Sequence, residues 1–348
     1  MKVLKSLLFL LTLPVSSLAQ ETRVTERVDV NVVRVDATVT DSRGNQILGL
    51  RKEDFIIREN GVEQSVETLD YFTNRRLLTA NESSAAFKVE QVKEERYFII
   101  FLQKPGSARY TADVIEARNA AIDFVEKELK PEDKVAIASY DVRLKLFSDF
   151  TSDKRALKAA LLEAGRFSLG ITSPQRDAPS PSILRNLDIA GMIGDTGRIY
   201  EAIELLANSV QSIPARKVLI LFTPGVGTPS DFSPDIAENE DYLYRPMIRA
   251  LNRANVTVFA INLLRSVRPH ATEADVQRMA TETGGEYFRT LVNFRTPLRT
   301  IENLNSGYYL LTYTSRKPAG SGGYQKIRVS LRNREFRVKA RDGYPYGE

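Results

Sequence analysis

At 348 residues the chain has room for two or three domains and a sizeable core, and its 43% hydrophobic and 27% charged residues are those of an ordinary globular protein. It has no cysteine, which excludes thiolate metal sites and thiol nucleophiles, and a single histidine, His270, which argues against His-rich metal sites and His-based triads. The net charge of +5 is uneven: residues 316–341 hold nine Lys and Arg against one acid, Glu335.

Residues 1–19 read as a cleaved leader. Lys2 and Lys5 make a basic start, an apolar run reaches Leu13, Pro14 breaks it, and Ser17 and Ala19 precede Gln20 at a signal-peptidase pattern. The run is too short to span a hydrocarbon core of ~30 Å. The mature chain is therefore expected in the periplasm, outside the cell or at its surface. The absence of cysteine suits a bacterial exported protein. No later segment is a transmembrane candidate.

Residues 24–73 read as a small β-sandwich-like module. Val28–Thr40 is β-branched and largely alternating, and Phe55–Glu59 leads through Asn60-Gly61 into a hairpin. Residues 74–94, with Asn81-Glu82-Ser83-Ser84, read as a polar linker. From 95 to 304 strand and helix alternate. Buried strands are expected at Tyr97–Leu102, Val135–Tyr140, Lys217–Phe222 and Val256–Ile261, with an antiparallel edge strand over Val142–Phe147. Helices are expected at 111–129, 152–164, 196–213, 242–254, 272–283 and 294–304. A long loop spans 165–195. This order predicts an α/β fold with a doubly wound, mainly parallel sheet covered on both faces. Residues 305–346 return to strands, which are expected to pack beside or complete the N-terminal module. Tyr308, Tyr309 and Tyr313 read as core and cross-strand packing.

Three loops carry the chemistry. The first apolar strand delivers Gln103-Lys104-Pro105-Gly106-Ser107. A second loop, Gly194-Asp195-Thr196-Gly197-Arg198, opens a helix. A third strand ends in Thr223-Pro224-Gly225. Their order resembles the von Willebrand factor A domain, and the whole chain resembles the acidobacterial type of that family. Further marks are Leu50-Arg51-Lys52-Glu53-Asp54-Phe55, Thr283-Gly284-Gly285, Tyr309-Leu310-Leu311-Thr312-Tyr313 and Arg341-Asp342-Gly343-Tyr344.

The resemblance implies an α/β domain whose strand ends hold Mg²⁺ through two Ser, a Thr and two Asp. Carried over by position, Ser107 and Thr196 match. Gln103 replaces the first Asp, Pro105 the first Ser and Pro224 the second Asp. Mg²⁺ is held largely by carboxylates, so a degenerate site with no metal or other cofactor is expected, unless Asp195 or Asp141 substitutes. Two readings of the edge stay open. The loop is a closed scaffold, or Lys104, Arg109 or Arg198 supplies the charge an ion would have given, and a partner's acidic side chain docks there with Ser107 and Thr196.

The resulting expectation is a non-enzymatic protein-interaction or adhesion protein. One alternative is a binder of anionic envelope polymer through the basic C-terminal strands. Another is a hydrolase using Asp177, Asp188 and Asp195. No nucleic-acid motif is present, and His270 reads as a surface residue.

Overall fold

The apolar run that Arg96 and Gln103 bracket has no polar alternation, and the computed structural model shows why: both faces of its strand are covered. The structure describes residues 28–73, 76–80, 87–91, 95–104, 111–166, 170–171, 178–187, 198–226, 234–264, 273–318 and 322–347. In chain order the strands are β1 (Val28–Thr40), β2 (Phe55–Glu59), β3 (Val62–Gln64), β4 (Thr68–Thr73), β5 (Arg76–Ala80), β6 (Phe87–Gln91), β7 (Tyr97–Gln103), β8 (Lys134–Tyr140) and β9 (Leu144–Thr151). They continue with β10 (Lys217–Thr223), β11 (Val256–Asn262), β12 (Glu286–Phe288), β13 (Gly307–Pro318), β14 (Gly323–Leu331), β15 (Arg337–Lys339) and β16 (Gly343–Tyr346). The helices are α1 (Thr111–Lys127), α2 (Lys154–Ala164), α3 (Ile199–Ser209), α4 (Pro234–Arg253), α5 (Glu273–Glu282) and α6 (Arg295–Leu304).

The central sheet has the order β12-β11-β10-β7-β8-β9. Its neighbours run parallel except β9, which is antiparallel to β8 across a register shift. Phe98, Ile100 and Leu102 face α1, α2 and α6. Tyr97, Ile99 and Phe101 face α3, α4 and α5. The fold is thus mixed α/β with a mainly parallel sheet between two helical layers, as the sequence predicts. Helix α2 starts where Asp153 accepts the N–H groups of Arg155 at 2.8 Å and Ala156 at 3.2 Å.

Strands from both chain ends share a second sheet, of order β15-β1-β13-β4-β5-β6. Here β1 pairs antiparallel with β13 from Val28↔Pro318 to Ala37↔Tyr309. A third sheet, β16-β14-β2-β3, joins β14 to the N-terminal β2. Val33, Val35, Leu311 and Tyr313 of the one sheet and Phe55, Ile57, Ile327 and Tyr344 of the other share one buried cluster. Tyr309 and Tyr313 lie inside it, and Tyr308 stacks on Phe72 at 5.1 Å. At Asn60 (φ 48°) and Gly61 (φ 86°) the backbone is left-handed twice running, as the β2–β3 hairpin turn requires.

Two expectations need correction. The segment 74–94, read as a linker for its polar residues, carries β5 and β6, which pair as a hairpin and extend β4. The polar run lies between two strands rather than outside them. Helix α4 begins at Pro234 rather than Tyr242. A proline suits a first helical turn, because its missing N–H has no partner there anyway.

Candidate functional site

The strand order locates the edge that matters. From β7 the chain moves to β8 and β9 on one side, then crosses back so that β10 lies on the other. In open α/β sheets ligands bind outside the carboxyl ends of strands at such a reversal. The residues at those two strand ends are Gln103 and Thr223.

They bond to each other. The Thr223 hydroxyl donates to Gln103 Oε1 and lies 2.9 Å from both Gly225 O and the Gly225 N–H that donates to it. One hydroxyl proton serves one acceptor, so both contacts are met together when the Gln103 amide turns its NH₂ toward Thr223. Either way the Gln103 amide is engaged with its neighbour. Thr223 is buried, and Pro224, half-buried, brings no donor or acceptor side chain. Gly225 follows at φ 134°, a conformation that side chains resist.

Lys104, one residue past β7, is not a surface cation. It is 3% exposed, its N–H donates to Tyr140 O at 2.6 Å, and its ammonium donates to Arg166 O at 2.5 Å. Asp141 Oδ2 lies 3.4 Å from that ammonium and accepts from Lys145 at 2.7 Å, while Oδ1 accepts the Val142 N–H at 2.9 Å. Burial, with Lys145 close by, pushes the Lys104 ammonium below its ordinary range, and Asp141 opposes that shift. Burial raises the Asp141 carboxyl, but the Lys145 bond and the Lys104 charge outweigh it and hold it low. Tyr140, between them and Glu201, is pushed up to about 12, chiefly by burial.

Arg198 is exposed at the start of α3, and its backbone N–H donates to Glu201 Oε2 at 3.0 Å. Pro105, Ser107, Arg109, Asp195 and Thr196 lie outside the described residues, as do Asp177, Asp188 and His270. The structure therefore brings Gln103, Lys104 and Asp141 to one edge with Thr223 and Pro224, and places Arg198 at a helix start.

Sequence reasoning missed a second constellation on the same edge. Asn262, at the end of β11, donates to Tyr287 Oη at 2.7 Å and accepts the Leu264 N–H at 2.6 Å. Tyr287 donates to Glu273 Oε2 at 2.8 Å, and Arg289 pairs with the same carboxyl, which is 3% exposed. The signal was available: Asn262 closes an apolar strand with a polar residue, as Gln103 and Thr223 do. Each constellation spends its polar atoms on its own members at the carboxyl ends of the strands.

No protein-family model and no curated protein matches the chain. Solved structures similar to it include BatB from Bacteroides thetaiotaomicron, with 17% identity, 61% of this chain and 97% of that chain covered, and a TM-score of 0.40. A mutant of the PilB minor pilin from Streptococcus sanguinis matches with 10% identity, 77% and 91% coverage, and a TM-score of 0.42. A von Willebrand factor type A protein from Catenulispora acidiphila matches with 11% identity, 85% and 73% coverage, and a TM-score of 0.39. At these identities the likeness is one of fold and does not extend to what any of these proteins binds.

Proposed function

We propose that this chain is an exported, non-enzymatic interaction protein that receives a protein partner at the carboxyl edge of the central sheet without a bound cation. The two β-sheets formed by the chain ends pack against the α/β domain and carry it, with Tyr324 bonded to Asn252 and Lys339 to Glu286 across the junction. One observation supports the reading above the rest: Asp141, the described carboxylate beside the Gln103 loop, is engaged by two ammonium groups. A divalent cation would have to displace both. Gln103 offers an amide and Pro224 nothing, and Mg²⁺ gives up water only for better oxygen donors. Lys104 supplies buried positive charge at the end of β7, and Arg198, at the start of α3, is an exposed cation. Export rests on the leader, and no helix among the described residues is long and apolar enough to cross a membrane.

Calorimetric titration of the mature protein with Mg²⁺ and Mn²⁺ tests the reading. No stoichiometric heat is expected, and tight one-to-one binding overturns the cation-free site. For the partner, affinity capture from envelope extract is expected to yield a protein whose binding is lost with Arg198→Glu. Capture that ignores this charge reversal counts against docking at that edge.

A further inference from the structure

Outside this edge, the outer face of the sheet β16-β14-β2-β3 carries a charge arrangement that folding does not favour. Along β14, Ile327 and Leu331 are buried and Val329 is packed on the core, while Lys326 and Arg328 are exposed. On β2, Phe55, Ile57 and Glu59 are buried, and Arg58 is exposed. The register sets Arg328 directly opposite Arg58. Like charges facing each other across two strands destabilise a sheet. Glu63 meets Arg58 at 3.3 Å from the far side, with both side chains about half exposed, a pairing too wet to be worth much. Among the described residues neither Lys326 nor Arg328 has an acid within ion-pair distance. Arg332 prolongs the line past the strand end, its Nε donating to Glu53 O at 2.7 Å.

We propose that this face binds a linear anionic polysaccharide, with Lys326, Arg328 and Arg58 contacting its carboxylates. Alternate residues on a strand lie about 7 Å apart and neighbouring strands about 5 Å apart. Lys326 and Arg328 thus form a line along β14, with Arg58 beside it. That is a track for an extended chain of spaced charges rather than a pocket for one ion. Arginine forks suit planar carboxylates. Beside the cations the outward positions are Ile56 and Ser330, and Tyr324, the aromatic on that side of β14, is only partly exposed and has its hydroxyl bound to Asn252 at 2.8 Å and Asp342 at 3.1 Å, so no free aromatic face is offered for a nucleic acid base to stack on. Ile56 is half-buried, so the face offers no exposed large apolar wedge for a bilayer. The patch joins residues from both ends of the chain, which neither end reveals alone.

The test is fluorescence anisotropy of the full mature protein with labelled alginate, alongside neutral dextran, vesicles with anionic headgroups, and single-stranded DNA. Alginate is expected to bind and dextran not to. Affinity is expected to fall about tenfold or more between about 50 and about 300 mM salt, as counterion release requires. Arg58→Ser and Arg328→Ser are each expected to weaken alginate binding several-fold, and Arg198→Glu to leave it unchanged, which separates this face from the sheet edge. Alginate binding that is unchanged in the double variant overturns the proposal, as does tighter binding to vesicles or DNA than to alginate.

Discussion

The cations inside the α/β domain and those on the outer face of the four-stranded sheet carry the same charge under opposite rules. Inside, each meets an oxygen at fixed distance. Arg96 reaches Asp133 at 2.7 Å and Glu302 at 3.3 Å, Lys104 reaches Arg166 O, and Lys217, 1% exposed, reaches Ile213 O at 2.5 Å. Burial still pushes the Lys217 ammonium down to about 8, with Asp36 only partly opposing it. Outside, Arg58 and Arg328 stand exposed opposite each other, with Glu63 3.3 Å from Arg58. Interior charge here serves the fold, because an unmatched charge in a poor dielectric is costly. Exterior charge is free of that constraint, so its placement against the fold's own interest is informative about binding.

The largest test of this contrast is Arg96→Ala. It removes both guanidinium bonds to Asp133, whose side chain is fully buried and also accepts the Lys130 N–H at 2.7 Å. Breaking one side of a buried pair costs about 4 kcal/mol, which urea unfolding at pH 7 measures. A loss below about 1 kcal/mol would mean that the pair is wet and the contrast false. Next is Tyr313→Phe. Glu59, 6% exposed, accepts from Tyr313 at 2.5 Å, Ser315 at 2.6 Å and Tyr344 at 2.9 Å. This interior carboxyl is matched by hydroxyls rather than a cation, and losing one donor is expected to cost about 2 kcal/mol.

Matching of this kind explains what the sequence could and could not reveal. The strands of the central sheet were legible because burial on both faces leaves continuous apolar runs, and the edge was legible because Gln103 and Thr223 end two of them. The burial of Lys104 was not legible. A lysine after a strand reads as solvated, and its acceptor, Arg166 O, is 62 residues away. The β5–β6 hairpin was missed because its strands are short and flank a polar run. The Thr283-Gly284-Gly285 motif was read as a family mark, and the structure supplies its physics. A Cβ on Gly285 would sit 1.9 Å from Val258 O, and one on Gly284, at φ +79°, 2.8 Å from Ala340 C. Thr283 accepts the Val258 N–H at 3.0 Å and donates to Met279 O at 2.8 Å. The motif is where α5, β11 and the C-terminal segment close on one another.

Asp342 is the interior exception that sharpens the contrast. Its N–H donates to Glu282 O at 3.0 Å, and its carboxyl accepts from Tyr324 at 3.1 Å. Burial and the Glu282 charge push it up to about 6, against the pull of Tyr324, Lys326 and Arg278. The unfolded carboxyl titrates near 3.8, so the folded protein holds the proton more tightly. The stability this group contributes is therefore lost as pH rises from about 4 to about 6. Asp342→Asn, which keeps an acceptor for Tyr324, is expected to match the native protein at pH 4. By pH 7 it should exceed it by on the order of 1 kcal/mol, after allowance for solvent screening. Paired urea titrations at the two pH values give the difference, and a gap that does not widen with pH returns Asp342 to the matched groups.

The smallest effect is the most diagnostic. Arg328→Thr removes one of two opposed cations and puts a β-branched residue on a strand. If the pair exists for the fold, through packing of its aliphatic stems along the sheet, the change destabilises. If it exists despite the fold, the change stabilises by about 0.4 kcal/mol, more at low salt than at high, because exposed charges are screened over about 10 Å. Thermal unfolding at two salt concentrations resolves the sign through the shift in Tm. A gain in stability coupled to a loss of polyanion binding is what a surface kept for recognition must show. A loss of stability with salt-independent Tm would place Arg328 among residues held by packing.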